Sequence, residues 1–414
     1  MVDGYIKGVE KMIDEVKEQL KKYNQEHLLR FYDVLNEEEK EHLINQINTI
    51  DFDLMDRLFY EIGQEKLKGK IEPITSHSKK EEYKQVGIEV IKSGKYAALT
   101  MAGGQGTRLG FCGPKGTYFI EYGINKYLFE VHIDRLKNIY NLYGVYIPWF
   151  IMTSAENNDD TIKFFEENNY FNYPKDKINF FVQEELPMLD TNGKILMDSK
   201  SSIKMAANGH GGVFSALKNS GMLDKMEKES IEWIFIGGID NILTPFDNEY
   251  FLGFAKTENL MGASYVVPKA YPEEKVGVFC KIDDRVDVIE YIEMTPEMNN
   301  MRDEDGNLLY GATHTLVNLF NIEAIKIATQ NNLKYLAAFK KINCIDENGD
   351  MIIPEKENAY KFETFLFGLF PLLERAGVLS GVRKEIFAPI KNASGVDSPE
   401  TAAKLYLDYY KNRR

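Results

Sequence analysis

The sequence predicts an α/β fold, a doubly wound and mostly parallel mixed sheet with a helical unit ahead of it. Three observations carry that prediction. After Tyr96, short apolar runs (YAALTM from Tyr96, PWFIMTS from Pro148, INFFVQ from Ile178, WIFIGGI from Trp233) alternate with longer amphipathic segments, the texture of buried parallel strands joined by helices. Two strand-like runs, Val276 to Ile282 and Val286 to Ile292, are split by Asp283-Asp284, which predicts a hairpin extending the sheet. Before residue 75 the strand texture is missing and apolar residues fall at helical spacing.

The elements follow in order. Ile6, Val9, Ile13, Val16 and Leu20 recur at alternating spacings of three and four, one buried face of a helix. Asn36 and Glu39 form a capping box, opening a second helix whose buried face is Leu43, Ile44, Ile47 and Ile50. Residues 1–75 are therefore expected to be a helical domain. Pro73 to Glu82, rich in Ser, Lys and Glu with no apolar period, predicts a linker. An α/β domain is expected over 76–388. The uncharged stretch Asn138 to Ala155 is broken by Asn138, Asn141, Gly144 and Pro148 and is the end of a helix, a turn and a strand. Ala263 to Pro268 predicts a further strand. A short C-terminal segment, 389–414, holds a terminal helix from Pro399 to Tyr410.

With 414 residues, 44% of them hydrophobic and 28% charged, the chain exceeds one average domain and has ample core to bury. Fifty Lys plus Arg against sixty-four Asp plus Glu leave a formal charge of -14, which argues against nucleic acid or an anionic membrane as partner. Any polyanionic substrate must then meet a local basic site. Cys112, Cys280 and Cys344 stand far apart without CxxC spacing, which excludes a disulfide framework and a cysteine-rich zinc site and fits a reducing cytoplasm. Charges every few residues at the N-terminus leave no apolar core for a signal peptide.

The densest signal follows the first strand. Six glycines lie between Gly103 and Gly116, where 31 in 414 predicts about one. A backbone that leaves a strand without side chains exposes N–H groups to a close guest, and a phosphate chain is the usual one. The spacing is neither GxxxxGK[ST] nor GxGxxG, because Leu109 stands where the dinucleotide fingerprint has its last glycine. Arg108 and Lys115 add the cations that a triphosphate needs and that suit pyrophosphate as a leaving group. A glycine-rich turn with two solvated basic residues is the bland alternative, disfavoured because no common packing reason accounts for so many glycines.

This loop, LTMAGGQGTRLGFCGPKG from Leu99, resembles that of the UDP-sugar pyrophosphorylases, in their eukaryotic-type UDP-N-acetylhexosamine branch. The resemblance continues in order through PWFIMTS, FVQEELPML from Phe181, NGHGGVFSAL from Asn208, GIDNIL from Gly238, EKVGVFCKID from Glu274, VIEYIEM from Val288 and PIKNASGVDSPETA from Pro389, covering most of the chain. It implies a nucleotide-diphospho-sugar transferase, Rossmann-like fold. The implied reaction is a Mg²⁺-dependent transfer, with Mn²⁺ as a possible substitute. UTP and a hexose 1-phosphate give a UDP-sugar and pyrophosphate by in-line attack at the α-phosphate.

The resemblance also implies the roles. Ala102, Gly103, Gly104, Gln105, Gly106 and Thr107 would hold the nucleotide, with Arg108 and Lys115 on the β- and γ-phosphates. Gln183 would read the uracil imide with its amide. Gly209 and His210 would contact nucleotide or substrate without proton transfer, Gly277, Glu290 and Thr315 the sugar, and Lys391 the sugar phosphate. Asp240, at the end of the run WIFIGGI, would be the magnesium ligand; Mg²⁺ needs few protein carboxylates. The implied sugar is N-acetylglucosamine 1-phosphate. Glucose, galactose or a broader range stays open, because the amino-sugar branch has Asn where His210 and Thr315 stand. Most of the small C-terminal domain of longer relatives is expected to be missing. Two other classes remain: a nucleotide-sugar binding protein without turnover, and a glycosyltransferase, whose DxD-like metal pair Asp240-Asn241-Ile242 does not supply.

Overall fold

The structure, a computed structural model, describes residues 13–64, 69–331 and 333–411. The chain divides into two compact units, Met1–Lys66 with Glu184–Gly211 and Lys334–Phe365, and Leu67–Gln183 with Gly212–Leu333 and Leu366–Arg414.

In the first unit, residues 13–22 are helical, with Val16 and Leu20 buried; Ile6 and Val9 of the expected face lie outside the described residues. Helix α1 (Glu37–Thr49) opens on the expected capping box: Asn36 Oδ1 accepts from Glu39 N at 2.9 Å, and Glu39 Oε2 accepts from Asn36 N at 2.9 Å. It buries Leu43, Ile44 and Ile47, with Ile50 buried at its C-cap. Helix α2 (Phe52–Glu61) adds Phe52, Met55 and Leu58. Their apolar faces close over Leu189, Ile195, Met197, Ile203 and Phe362, side chains from the two later stretches of the same unit.

The second unit is built, in chain order, from β1 (Ile71–Pro73), α3 (Glu81–Lys92), β2 (Tyr96–Met101), α4 (Leu128–Tyr143), β3 (Trp149–Thr153), β4 (Ile178–Val182), β5 (Trp233–Gly238), α5 (Glu249–Thr257), β6 (Gly262–Pro268), β7 (Val278–Ile282), β8 (Arg285–Ile289), β9 (Ala312–Asn321), β10 (Ala376–Ser380) and α6 (Pro399–Lys411). These ten strands form one mixed sheet, and Phe119–Ile120 pairs with Lys126–Tyr127 in a separate two-stranded ribbon. At its centre β5, β2, β3 and β4 are adjacent and parallel, pairing Gly238 with Met101, Met101 with Met152 and Thr153 with Val182. These strands are mostly apolar, as expected for strands with helices on both faces, with Thr100, Thr153 and Asn179 as their polar members, and Tyr96–Met101 is buried at every residue. Antiparallel strands extend the sheet through β9, which lies against both β5 and β6, and through the β7–β8 hairpin. Asp283 and Asp284 take φ of 48° and 66°, the two left-handed residues a tight hairpin turn requires.

The expected linker over Pro73 to Glu82 is in fact partly paired. Pro73 ends β1, His77 bridges to β10 through Ser380 N to its carbonyl (2.8 Å) and its own N–H to Val378 O (2.8 Å), and α3 starts at Glu81. Edge pairing uses backbone groups alone and leaves no apolar period to detect. Among the described residues no helix is long and apolar enough to cross a membrane.

Candidate functional site

Four parallel strands that end side by side bring four loops to one rim, the edge where open α/β sheets bind ligands. Ala102 follows β2, Ser154 follows β3, Gln183 follows β4 and Asp240 stands two residues beyond β5. Gln183 N donates to Thr153 O at 2.8 Å, and Ala102 N to Met152 O at 2.7 Å. Asn157, wholly buried, staples two of these ends: its Oδ1 accepts from Ser154 N (2.9 Å) and its Nδ2 donates to Ala102 O (3.1 Å).

The glycine loop doubles back on itself, closed by Lys115 N to Gly104 O (3.0 Å) and Gly106 N to Gly113 O (3.0 Å). Its glycines have separable causes, and here the sequence reading is corrected, because packing does account for some of them. A Cβ on Gly116 would lie 2.1 Å from the Phe129 ring, and one on Gly106 2.6 Å from Phe111. Gly110 and Gly113 take φ of 70° and 142°. Two glycines remain. Gly103 faces Gln183 Oε1, 3.2 Å from where its Cβ would be, and Ser154 N at 3.3 Å. Gly104 is exposed, lies outside the left-handed region and would meet nothing within 4 Å. Neither packing nor backbone conformation accounts for Gly104, which leaves the backbone open on that side. Gln105 Oε1, next in the chain to Gly104, and Ser154 Oγ, just beyond β3, are buried without a hydrogen-bond partner.

Asp240 is placed by its neighbour. Asn241 Oδ1 accepts from Leu243 N (3.2 Å) and Ala388 N (2.9 Å), and its Nδ2 donates to Ile386 O (2.8 Å), so Asn241 caps the turn and leaves the Asp240 carboxylate for other work. Ile390 N donates to Asp240 O at 2.9 Å, and Asn241 bridges Pro389. The PIKN segment is thereby docked against the turn, which carries Lys391, remote in sequence, to the same rim. The charges meet at Lys115. Burial pulls its pKa below the ordinary lysine value, Asp240 resists that shift, and the positive charges of Arg108 and Lys391 add to it. Arg108 itself is exposed, on the turn Thr107–Leu109.

At the other expected subsite, Gly277 and Glu290 lie together: a Cβ on Gly277 would be 3.1 Å from Glu290 Oε1. Burial raises the Glu290 pKa, and the charge of Glu293 adds to the shift. Gly277 O accepts from His314 N at 2.9 Å. Thr315, read from sequence as a sugar contact, instead turns inward: it is 4% exposed and its hydroxyl donates to Tyr265 O at 3.2 Å. Side chains alternate across a strand, so Thr315 and His314 face opposite ways. Just beyond, β9 bulges between the pairs Val266–His314 and Ser264–Asn318, with Leu316 at φ 57°. Leu316 Cδ2 and Asp240 Oδ1 both crowd Gly238, at 3.2 and 2.7 Å from where its Cβ would be. A strained bulge beside a rim of this kind is a familiar way to aim a side chain.

Gly209 and His210 belong to the first unit. Gly209 takes φ 82°, and a Cβ there would lie 2.3 Å from Thr364 O; one on Gly211 would lie 2.7 Å from Phe365 C. The glycines of this turn have a packing reason, the close passage of residues 363–365. His210 is half-buried against the Phe365 ring at 5.2 Å, and burial pushes its pKa down to about 4, so it is neutral at pH 7.

Among the described residues no group of three or more His, Cys, Asp or Glu is placed to hold a metal ion. Asp240 alone fits a cation that draws most of its ligands from phosphate and water, and Gly238 leaves the gap in which its carboxylate sits.

Residues 15–398 match the family model described as UTP–glucose-1-phosphate uridylyltransferase. The chain is 32% identical to a human protein named UDP-N-acetylhexosamine pyrophosphorylase-like protein 1, over 95% of this chain and 83% of that one. It is 34% identical to the UDP-N-acetylglucosamine pyrophosphorylase of Saccharomyces cerevisiae, over 81% of this chain and 73% of that one. The crystal structure of the Trypanosoma brucei uridine diphosphate N-acetylglucosamine pyrophosphorylase in complex with inhibitor superposes with a TM-score of 0.83 at 28% identity, covering 95% of this chain and 84% of that one.

Proposed function

The chain belongs to the UTP–glucose-1-phosphate uridylyltransferase family of UDP-sugar pyrophosphorylases, and from that premise we propose that its substrates are UTP and N-acetylglucosamine 1-phosphate. The observation that carries the reading is the meeting of Arg108, Lys115 and Lys391 with Asp240 at the carboxyl rim of the parallel strands. The amino sugar follows the names of the relatives at 32 and 34% identity.

In this reading Gln183 and the Gly103 backbone hold the uracil, and the open backbone at Gly104 admits the phosphates. Lys391 guides the sugar 1-phosphate oxygen toward the α-phosphorus, opposite the departing pyrophosphate, so that positioning supplies much of the rate. Arg108 and Lys115 neutralise pyrophosphate as the P–O bond breaks, acting from fixed positions in a partly desolvated site. Asp240 would hold Mg²⁺, or Mn²⁺ in its place, and a bound dication supplies further neutralisation of phosphate charge. No side chain needs to form a covalent bond. Gly277 and Glu290 contact the sugar hydroxyls. Three free cysteines, Cys112, Cys280 and Cys344, support a reducing cytoplasm as the compartment.

A second reading, a broader range of hexose 1-phosphates, is favoured by Thr315, whose inward hydroxyl leaves its expected sugar contact unmade. Pyrophosphate release from UTP and Mg²⁺ with a panel of sugar 1-phosphates tests both. Release with N-acetylglucosamine 1-phosphate alone supports the first reading and release across the panel the second. No release with any sugar leaves a nucleotide-sugar binding protein.

A further inference from the structure

Lys391 is held from both sides. Ahead of it, Ile390 N is bonded to Asp240 O; behind it, the chain loops out and returns at Asp397, whose carbonyl accepts from Lys391 N at 2.7 Å and Asn392 N at 3.1 Å. Asn392 Nδ2 closes the same loop on Val396 O at 2.8 Å. Asp397 is in the left-handed region at φ 56°, and its carboxylate lies 3.8 Å from Lys391 Nζ, the two side chains being 31 and 40% exposed. The Phe387 ring supports the ammonium at 5.5 Å.

The charge balance gives this pair a meaning. Lys115 feels the positive charges of both Arg108 and Lys391, against the single opposing charge of Asp240. With no phosphate bound, a third cation there needs its own partner, and a loop that spends two backbone hydrogen bonds and a left-handed residue on bringing a carboxylate back to Lys391 provides one. We propose that Asp397 is a positioning residue, a built-in stand-in for substrate phosphate that holds Lys391 in place and surrenders it when the phosphate arrives. This rests on the reading of Lys391 as a phosphate-binding lysine. The exchange opposes binding, since phosphate must displace a carboxylate.

The test is titration of UDP-N-acetylglucosamine into the full chain by calorimetry, for wild type, Asp397→Asn, Lys391→Met and the double variant, at low and high salt. Asn keeps the shape and tolerates positive φ; Asp397→Gly, which also tolerates it, is the second charge-free variant, and thermal denaturation checks that each folds. Asp397→Asn is expected to tighten binding about two- to fivefold at low salt, the span of an exposed ion pair. The gain should vanish at high salt and in the Lys391→Met background. Equal tightening with Lys391 replaced, or no tightening in an otherwise wild-type chain, overturns the proposal. If Lys391→Met alone binds as wild type does, the reading of Lys391 fails and takes this inference with it. If Lys391→Met weakens binding while Asp397→Asn changes nothing, only the inference fails.

Discussion

Two glycine-rich turns in this chain, Gly103 to Gly116 and Gly209 to Gly212, are built for opposite neighbours. In the second, the missing side chains at Gly209 and Gly211 make room for the protein's own backbone at Thr364 and Phe365. In the first, the inner glycines likewise make room for Phe111 and Phe129, but Gly104 makes room for nothing in the chain. A count of glycines does not separate the two cases. What separates them is the fate of an added Cβ, and the cations follow the open turn: Arg108 and Lys115 are on it, and Lys391 is brought to it. The packed turn carries a histidine that burial keeps neutral.

The largest expected effect tests the charged side of this contrast. Lys115→Ala should lower kcat about 10²- to 10³-fold, the range for losing one preorganised charge-stabilising donor (about 2.7 to 4 kcal/mol), with the melting temperature little changed. Because burial depresses the Lys115 pKa, wild-type activity should fall on the alkaline side at a lower pH than an ordinary lysine would give. Lys115→Arg should move that limb upward. A rate near wild type for the alanine variant removes Lys115 from the chemistry. The packed side should break differently. Gly209→Ala puts a methyl 2.3 Å from the Thr364 carbonyl at a φ of 82°, so it should destabilise by about 3 kcal/mol or leave little soluble protein. A variant that melts like wild type would show that this turn is looser than its contacts imply.

The two turns also mark how far the sequence could be read. The strands that build the rim were legible because each is a short, mostly apolar run, and Tyr96–Met101 ends at the residues expected. The Asn36–Glu39 box was legible because a cap is a local event. Asp240 stood out as a carboxylate at the end of an apolar run. Leu316 did not stand out, since its bulge depends on how β9 pairs with β5 and β6, far away in the chain. Asn157 and Asn241 were equally silent: their amides bridge backbones from separate segments, and nothing in the flanking residues reports the bridge. The inward turn of Thr315 was silent for a related reason, because the letters alone do not say which face of a strand a residue takes. A unit assembled from three stretches of chain carries no mark in linear texture, for its helices and the strands beneath them are complementary only in space.

His210 sharpens the contrast at a smaller scale. Its folded pKa of about 4 lies below the unfolded value of about 6.5, so acidification favours the unfolded chain, which takes up the proton first. Its contribution is undiminished above pH 6.5 and is lost progressively as pH falls toward 4. His210→Asn should therefore flatten the acid side of the stability curve by roughly 1–2 kcal/mol at pH 5, measured by denaturant titration from pH 5 to 8. The same variant should leave the shape of the activity profile between pH 6 and 8 unchanged. A new or lost limb in that window would mean that His210 transfers a proton after all.

Gly104→Ala is the smallest change and the most direct comparison with Gly209→Ala, since the two variants add the same single methyl group. In the free protein that methyl meets nothing within 4 Å and the backbone conformation suits alanine, so stability should stay within about 0.5 kcal/mol of wild type. With UTP present it should occupy the space the phosphates need, raising KM for UTP about tenfold, or about 1.4 kcal/mol, while KM for the sugar phosphate moves less. An unaltered KM for UTP would mean that the opening beside Gly104 is ordinary solvent and that the nucleotide lies elsewhere on the rim. A loss of stability would mean that the turn closes in solution, and the distinction between open and packed glycines would then fail at the residue on which it rests most heavily.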